Sequence, residues 1–245
     1  MASHSTIDPA QAEHFGRMAA AWWDPKGSSA MLHQLNPVRL GYIRDMADQH
    51  WGFDECNLKP LAGKSAADVG CGAGLLVEPL ARLGAEATGV DAAPENIAAA
   101  REHALKQGLA IDYTVGSVEA LGGGGYDLVT SLEVVEHVSD VRTYVQGLAD
   151  ALKPGGLLIL STPNRTAWSR LLLIGLGEGT GRIPRGTHEW DKFLAPEELC
   201  ALVRDAGLEV VDCHGLAWGP GRGFHLSDNK SLDYFVTAKK AEAAA

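Results

Sequence analysis

Three glycines in five residues, Gly70, Gly72 and Gly74, follow the run Ser65-Ala66-Ala67-Asp68-Val69 and precede an apolar stretch from Leu75 to Leu83. The pattern predicts a strand, a tight turn and a helix. Glycines let the backbone turn sharply and leave no side chain between it and a ligand. Asp91 stands 21 residues after Gly70, at the end of a second strand-like run, Ala87-Thr88-Gly89-Val90. A carboxylate at that distance is placed to accept hydrogen bonds from a ribose diol. Turn and acid together imply a nucleoside-containing cofactor. Taken alone, the turn would only join a strand to a helix.

The dinucleotide fingerprint is G-x-G-x-x-G/A. Here the glycines fall as G-x-G-x-G, and Leu75 occupies the last fingerprint position. Asp68, just before the turn, would repel a pyrophosphate. It would attract S-adenosylmethionine, which carries an ammonium and a sulfonium. The residues therefore imply a class I methyltransferase site, with Asp68, Gly70, Gly72 and Asp91 around the cofactor.

Further candidates lie along the chain. Arg39, on an expected helix, offers a guanidinium fork that matches the carboxylate of a methionine moiety; an ordinary helix arginine would be solvated. Ser117, after the third strand, has a hydroxyl that could hold adenine. Leu132 is placed to pack on adenine or ribose, or else in the core. In Ser131-Leu132-Glu133-Val134-Val135-Glu136-His137, a helical backbone would put Glu133, Glu136 and His137 at i, i+3 and i+4 on one face. Two carboxylates and an imidazole there could hold a hard divalent cation such as Mg²⁺. His137 alone could act as a general base. The bland alternative is acids favoured in a first helical turn, with the histidine packed on the sheet.

These residues need a scaffold. Strand-like runs at Ser65–Val69, Ala87–Val90, Ile111–Val115, Tyr126–Ser131, Leu157–Ser161, Leu208–Cys213 and Asp233–Ala238 alternate mostly with helical ones. That alternation predicts an α/β fold with a mostly parallel, seven-stranded sheet and helices on both faces. In such sheets ligands bind at the carboxyl ends of the strands. Residues 1–60 read as an N-terminal helical lid. One helix is expected from Asp8 to Trp22, capped by Asp8-Pro9. A second should start after Asn36-Pro37. Residues 61–240 form the cofactor-binding domain, and 241–245 a tail.

The chain has 245 residues, 46% hydrophobic, with a formal net charge of −10. Excess acid argues against nucleic acid as a partner. Cys56, Cys71, Cys200 and Cys213 form no C-x-x-C and suit reduced thiols in the cytoplasm. No apolar run approaches the ~20 residues that span a bilayer. The insertion after the fifth strand, 163–194, exceeds an ordinary connection of ~2–6 residues. Within it Pro163 to His188 carries four arginines and one glutamate around the run Ala167 to Leu176. A tryptophan, an apolar run and flanking arginines suit peripheral contact with a membrane through 165–185. They suit a lid over a greasy substrate, or a buried helix, equally well. Gly186-Thr187-His188-Glu189-Trp190 could close over the site.

The chain resembles the ubiquinone biosynthesis O-methyltransferases, the UbiG family. The residues that carry the likeness are Arg17 to Trp23, Asn36-Pro37-Val38-Arg39-Leu40-Gly41-Tyr42, Asp68 to Gly72, Glu133 to His137, Lys153-Pro154-Gly155-Gly156, Ser161 to Arg165 and Gly186 to Trp190. The resemblance implies a Rossmann-like class I fold. It implies methyl transfer from S-adenosylmethionine to two polyprenylated phenols, 2-polyprenyl-6-hydroxyphenol and 3-demethylubiquinol. It places cofactor contacts at Arg39, Gly70, Asp91 and Leu132. It favours a divalent ion at Glu133, Glu136 and His137, and it allows a ubiquinone-biosynthesis complex at the inner face of the membrane. Ser117 stands where many methyltransferases carry an acid. The alternatives are another small phenolic acceptor, a nicotinamide oxidoreductase, or a non-catalytic subunit that keeps a cofactor site.

Overall fold

The computed structural model describes residues 6–27, 29–54, 56–171 and 190–243. β1 (Ser65–Val69), β2 (Glu86–Asp91), β3 (Ile111–Val115), β4 (Tyr126–Leu132), β5 (Leu152–Pro163), β6 (Leu208–Gly219), β7 (Gly223–Ser227) and β8 (Asp233–Lys240) form one sheet. Their order is β3-β2-β1-β4-β5-β8-β6-β7. The pairings among β1 to β5 are parallel. β8 inserts antiparallel between β5 and β6, and β7 pairs antiparallel with β6.

The sheet has eight strands where seven are expected. The extra one, β7, folds back through Gly219-Pro220-Gly221-Arg222-Gly223, with φ of 75° at Gly221 and 69° at Gly223. Glycines and a proline over five residues suit a turn, and β7, five residues that begin at Gly223, is too short and too mixed to read as a strand.

Alternate residues of the central strands enter opposite faces, as a pleated strand requires. Ala66, Leu128, Leu157, Ile159 and Phe235 join one apolar cluster with Leu35, Tyr42 and Ile43. Ala67, Val129, Leu158, Leu160, Tyr234 and Val236 join the other, with Tyr144, Leu148, Leu199 and Val203. Both faces are apolar, so these strands read as continuous hydrophobic runs without alternation. The second face is covered by α5 (Val141–Ala151) and α7 (Pro196–Asp205), and the first by α2 (Ala30–Trp51) and α3 (Val77–Arg82). α4 (Pro94–Lys106) buries Ile97, Ala100 and Ala104 against Ala87 and Tyr113.

The N-terminal helices differ from expectation. α1 covers only Pro9–Gly16, and a short 3-10 turn follows at Ala19–Ala21. Asp8 caps α1 as expected, with Oδ1 accepting from the Ala10 amide at 3.0 Å. The helix stops where Gly16 packs against α4: a Cβ there would lie 2.7 Å from Glu95 Oε2. α2 starts at Ala30, so Pro37 lies inside it. An interior proline costs roughly 3 kcal/mol, but burial of Leu35, Tyr42 and Ile43 against the sheet offsets it. Among the described residues no helix is long and apolar enough to cross a membrane.

Candidate active site

A cavity of about 260 Å³ opens at the carboxyl ends of β1 to β4. Its walls include Arg39, Asp68, Gly70, Asp91, Ser117, Leu132, Glu133 and His137. Gly72 does not line it.

The turn after β1 explains both glycines. Gly70 has φ 79° and Gly72 φ 53°, left-handed values that favour glycine. A Cβ on Gly70 would lie 2.2 Å from Val134, and one on Gly72 would lie 2.6 Å from the Trp22 ring. The space over Gly72 is therefore filled by protein, and its amide donates to Asp91 Oδ2 at 2.9 Å. Trp23 fixes the same turn from the other side. Its Nε1 donates to Ala73 O at 3.0 Å, and its ring stacks on His103 at 3.5 Å. The paired tryptophans thus clamp the glycine turn.

Asp91 Oδ1 also accepts from the Ala93 amide and from Asn96 Nδ2, at 2.9 and 3.0 Å. Burial raises its pKa, and these donors pull it back. Asp68 is 3% exposed. It accepts from Thr130 Oγ1 at 2.7 Å. Burial pushes its carboxyl up to about 7, against the pull of Thr130 and Arg39. Ser117 is buried, and its hydroxyl lies 2.8 Å from Thr6 Oγ1. Thr6 is held further by its amide donating to Glu119 Oε1 at 2.8 Å, and its carbonyl accepts from the Ser139 amide at 3.0 Å.

α2 positions Arg39 through its neighbours one turn away. Asn36, Arg39 and Tyr42 are spaced by three and share a face. Asn36 Nδ2 donates to Leu75 O at 2.6 Å. Tyr42 donates to Asp212 Oδ2 at 2.6 Å, lies 2.7 Å from Thr237 Oγ1 and stacks on Phe235 at 4.3 Å. Between these anchors Arg39 is 6% exposed. Its Nη2 lies 3.1 Å from Glu133 Oε1, yet Nε and Nη2 make no aligned hydrogen bond. Buried guanidinium N–H groups left this way are ready for an anionic ligand.

The expected helical face at Glu133, Glu136 and His137 does not form. Glu133 takes φ 59°, and only Val135–His137 makes a 3-10 turn. A β-to-helix crossing that reverses so sharply leaves no full helical turn on which the three could align. Glu133 Oε1 accepts from Ser161 Oγ at 2.5 Å, and Glu136 Oε2 from Thr162 Oγ1 at 2.9 Å. Among the described residues no group of three His, Cys, Asp or Glu is placed to hold a metal. With Glu133 engaged by Arg39 and Ser161, these residues do not fit a three-ligand cation site. Burial, then the Glu133 charge, raises the Glu136 pKa. His137 Nε2 lies 3.8 Å from Glu136 Oε1. Its ring meets Phe15 edge-on at 5.0 Å.

Two features escaped the sequence. Leu216, Phe224 and Leu232 give the cavity an apolar wall; β7, which supplies Phe224, was not visible as a strand. Asp233, 6% exposed, also lines it. Burial first, then Glu133, raises its pKa well above the carboxylate range. The available signal was one acid opening the apolar run Tyr234-Phe235-Val236. The insertion is described only to Leu171 and again from Trp190; Arg182, Arg185 and Gly186 to Glu189 lie outside the described residues. In the described part Trp168 and Leu171 are half exposed, and Arg170 lies over the Trp190 ring at 5.4 Å.

A family model described as a methyltransferase domain matches residues 52–212. A ubiquinone biosynthesis O-methyltransferase from Azorhizobium caulinodans is 45% identical over 98% of this chain and 97% of its own. One from Cereibacter sphaeroides is 48% identical over 90% of each. Among solved structures, the magnesium protoporphyrin IX methyltransferase of Synechocystis PCC 6803 with bound SAH superposes with a TM-score of 0.64 at 19% identity. That match covers 94% of this chain and 96% of the other. At that identity the likeness concerns the fold.

Proposed function

The chain belongs to the ubiquinone biosynthesis O-methyltransferases, and from that membership we infer its acceptor and the roles of its residues. It is an S-adenosylmethionine-dependent O-methyltransferase of the class I fold. When bound, S-adenosylmethionine supplies a methyl group on a cationic sulfur. We propose that the acceptors are the phenolic hydroxyls of polyprenylated intermediates, 2-polyprenyl-6-hydroxyphenol and 3-demethylubiquinol.

One observation carries this reading. A single cavity joins Arg39, Asp68 and Asp91 to His137 and to an apolar wall of Leu216, Phe224 and Leu232. The Arg39 N–H groups that make no aligned hydrogen bond suit the carboxylate of the amino-acid moiety. Asp68 suits its ammonium, and Asp91 the ribose diol. Gly70 brings backbone close to the cofactor, Gly72 keeps the turn open beneath Trp22, and Leu132 and Ser117 flank the nucleoside. The apolar wall suits a greasy aryl ring.

The protein's main task is alignment in a site shielded from water. A phenol has a pKa near ~10 and is mostly protonated at neutral pH. His137 takes that proton as the oxygen attacks. Phe15, edge-on to the imidazole, and Glu136, beside its Nε2, hold its orientation. The exposed Trp168 and Leu171 support peripheral contact with a membrane, where such acceptors dissolve.

The test is direct. Purified protein is incubated with S-adenosylmethionine and a short-chain prenyl catechol, and the methyl ether is sought by mass spectrometry. Product is expected. No product, with S-adenosylhomocysteine still bound, would reject these acceptors.

A further inference from the structure

The apolar end of the cavity is built where α2 packs on the hairpin of β6 and β7. Met31 and Leu32, in the first turn of α2, supply one side of it, and Leu216 and Phe224 the other. The opposite end, with Thr6, Asp91 and Ser117, is polar and suits the nucleoside.

In the hairpin Leu216 pairs with Leu226, and Trp218 with Phe224. Residues two apart on a strand share a face, and cross-strand partners lie side by side. The four side chains therefore form one apolar ladder on the face of the sheet that α2 covers. The ladder has a direction. Leu216 is 1% exposed and belongs to the core. Phe224 is half-buried and lines the cavity, and Trp218, its partner across the ladder, is 46% exposed. A single exposed aromatic needs no explanation, but Trp218 continues a cavity wall out to solvent.

The acceptors proposed above join a small aryl ring to a long apolar chain. A cavity of about 260 Å³ that also takes the nucleoside and the ring cannot enclose that chain. The chain must leave while the ring stays. It leaves at least cost along an apolar surface, since each CH₂ kept from water is worth roughly fourfold in binding.

We propose that the prenyl tail of the acceptor leaves the cavity between the first turn of α2 and the β6–β7 hairpin and lies on this ladder, with Phe224 against its first units and Trp218 against the next. The hairpin is then a tail-binding subsite, and it sets how strongly chain length counts. This rests on the acceptor class proposed above.

The experiment measures kcat and KM for prenyl catechols with one, two and three isoprene units. The proteins are wild type, Trp218→Ala, Trp218→Phe and the double variant Trp168→Ser/Leu171→Ser. Trp218 is exposed, so neither change there threatens the core. Wild-type KM should fall at least about tenfold from one unit to three. Its kcat should stay nearly constant, because the tail binds equally in ground and transition states. Trp218→Ala should shrink the KM ratio to within about threefold, and Trp218→Phe, which keeps an apolar ring, should hold most of it. The double variant should keep the wild-type ratio. A ratio that survives in Trp218→Ala overturns the proposal. A ratio lost only in the double variant sends the tail along the insertion and overturns it too. If wild type methylates all three with no gain from length, the acceptor class stands and the subsite falls. If wild type methylates none, the acceptor class falls and this inference with it.

Discussion

Arg39 Nη2 stands 3.1 Å from Glu133 Oε1, and Asp68, Glu136 and Asp233 also feel that guanidinium. One cation thus faces four carboxyl groups in a largely buried space. Such a site favours ligands that bring positive charge and hydroxyl donors. Arg39→Ala should weaken S-adenosylhomocysteine binding by at least about tenfold, since it removes a charge-assisted contact worth roughly 1.5–3 kcal/mol. Arg39→Lys should recover only part, because a point charge cannot replace the fork. Calorimetric titration checks both; unchanged affinity in Arg39→Ala would remove Arg39 from the cofactor site.

His137→Ala should lower kcat by about 10²–10⁴-fold, the usual worth of a positioned base. Cofactor affinity should hold. Phe15→Ala, which frees one side of the imidazole, should cost less. Steady-state rates and cofactor titration separate the two effects, and full activity in His137→Ala would end its role as base.

The glycine turn makes a stability prediction. Gly72→Ala forces a Cβ to within 2.6 Å of the Trp22 ring at φ 53°. Thermal unfolding should show a loss of more than about 1 kcal/mol, since alanine at a positive φ costs more than the ~0.4–1 kcal/mol that a compatible Gly→Ala change gains. Trp22→Ala in the same background should return part of it. Independent, additive effects would show that the ring does not occupy that space.

Burial lifts Asp68 to about 7, well above the ordinary ~3.9 of an aspartate. Between those values the folded protein keeps a proton that the unfolded chain has released. Stability from this group is therefore full below about pH 4, falls as pH rises, and is lost by the time pH passes 7. Asp68→Asn should flatten that part of the stability curve between pH 4 and pH 8. A positively charged ligand prefers the ionised form, so cofactor affinity should rise across about pH 7 in wild type and not in Asp68→Asn. Parallel slopes in the two proteins would contradict the assignment.

Replacing Trp168 and Leu171 together by serine should reduce binding to anionic vesicles, since both are half exposed beside Arg170. Activity on a soluble short-chain acceptor should stay near wild type. Sedimentation with vesicles gives the answer, and unchanged binding would dismiss this surface as a membrane contact.

The central sheet was legible because its strands are short apolar runs cut by glycine and proline, with both faces buried. The gathering of Asp68, Gly70 and Asp91 around one cavity was legible for a related reason: they sit at fixed offsets within adjoining strand-turn-helix units, where spacing along the chain becomes spacing in the fold. The apolar half of the cavity was not. Glu133, Phe224 and Asp233 meet only through strand pairing between distant segments, and no local pattern encodes it. The helical reading of Glu133 to His137 failed because residue types do not reveal a backbone reversal such as φ 59° at Glu133.

Asn36, Arg39 and Tyr42 occupy one face of α2, and each touches a different part of the molecule. A change at Asp212, on a strand that contributes nothing to the cofactor end, must therefore be felt at Arg39 through Tyr42. The epistasis that follows is specific. Asn36, Tyr42, Asp212 and Thr237 form a block that should be inherited together, and a chimaera that draws α2 from one relative and β6 from another would lose grip on the cofactor while every residue that touches it stays the same.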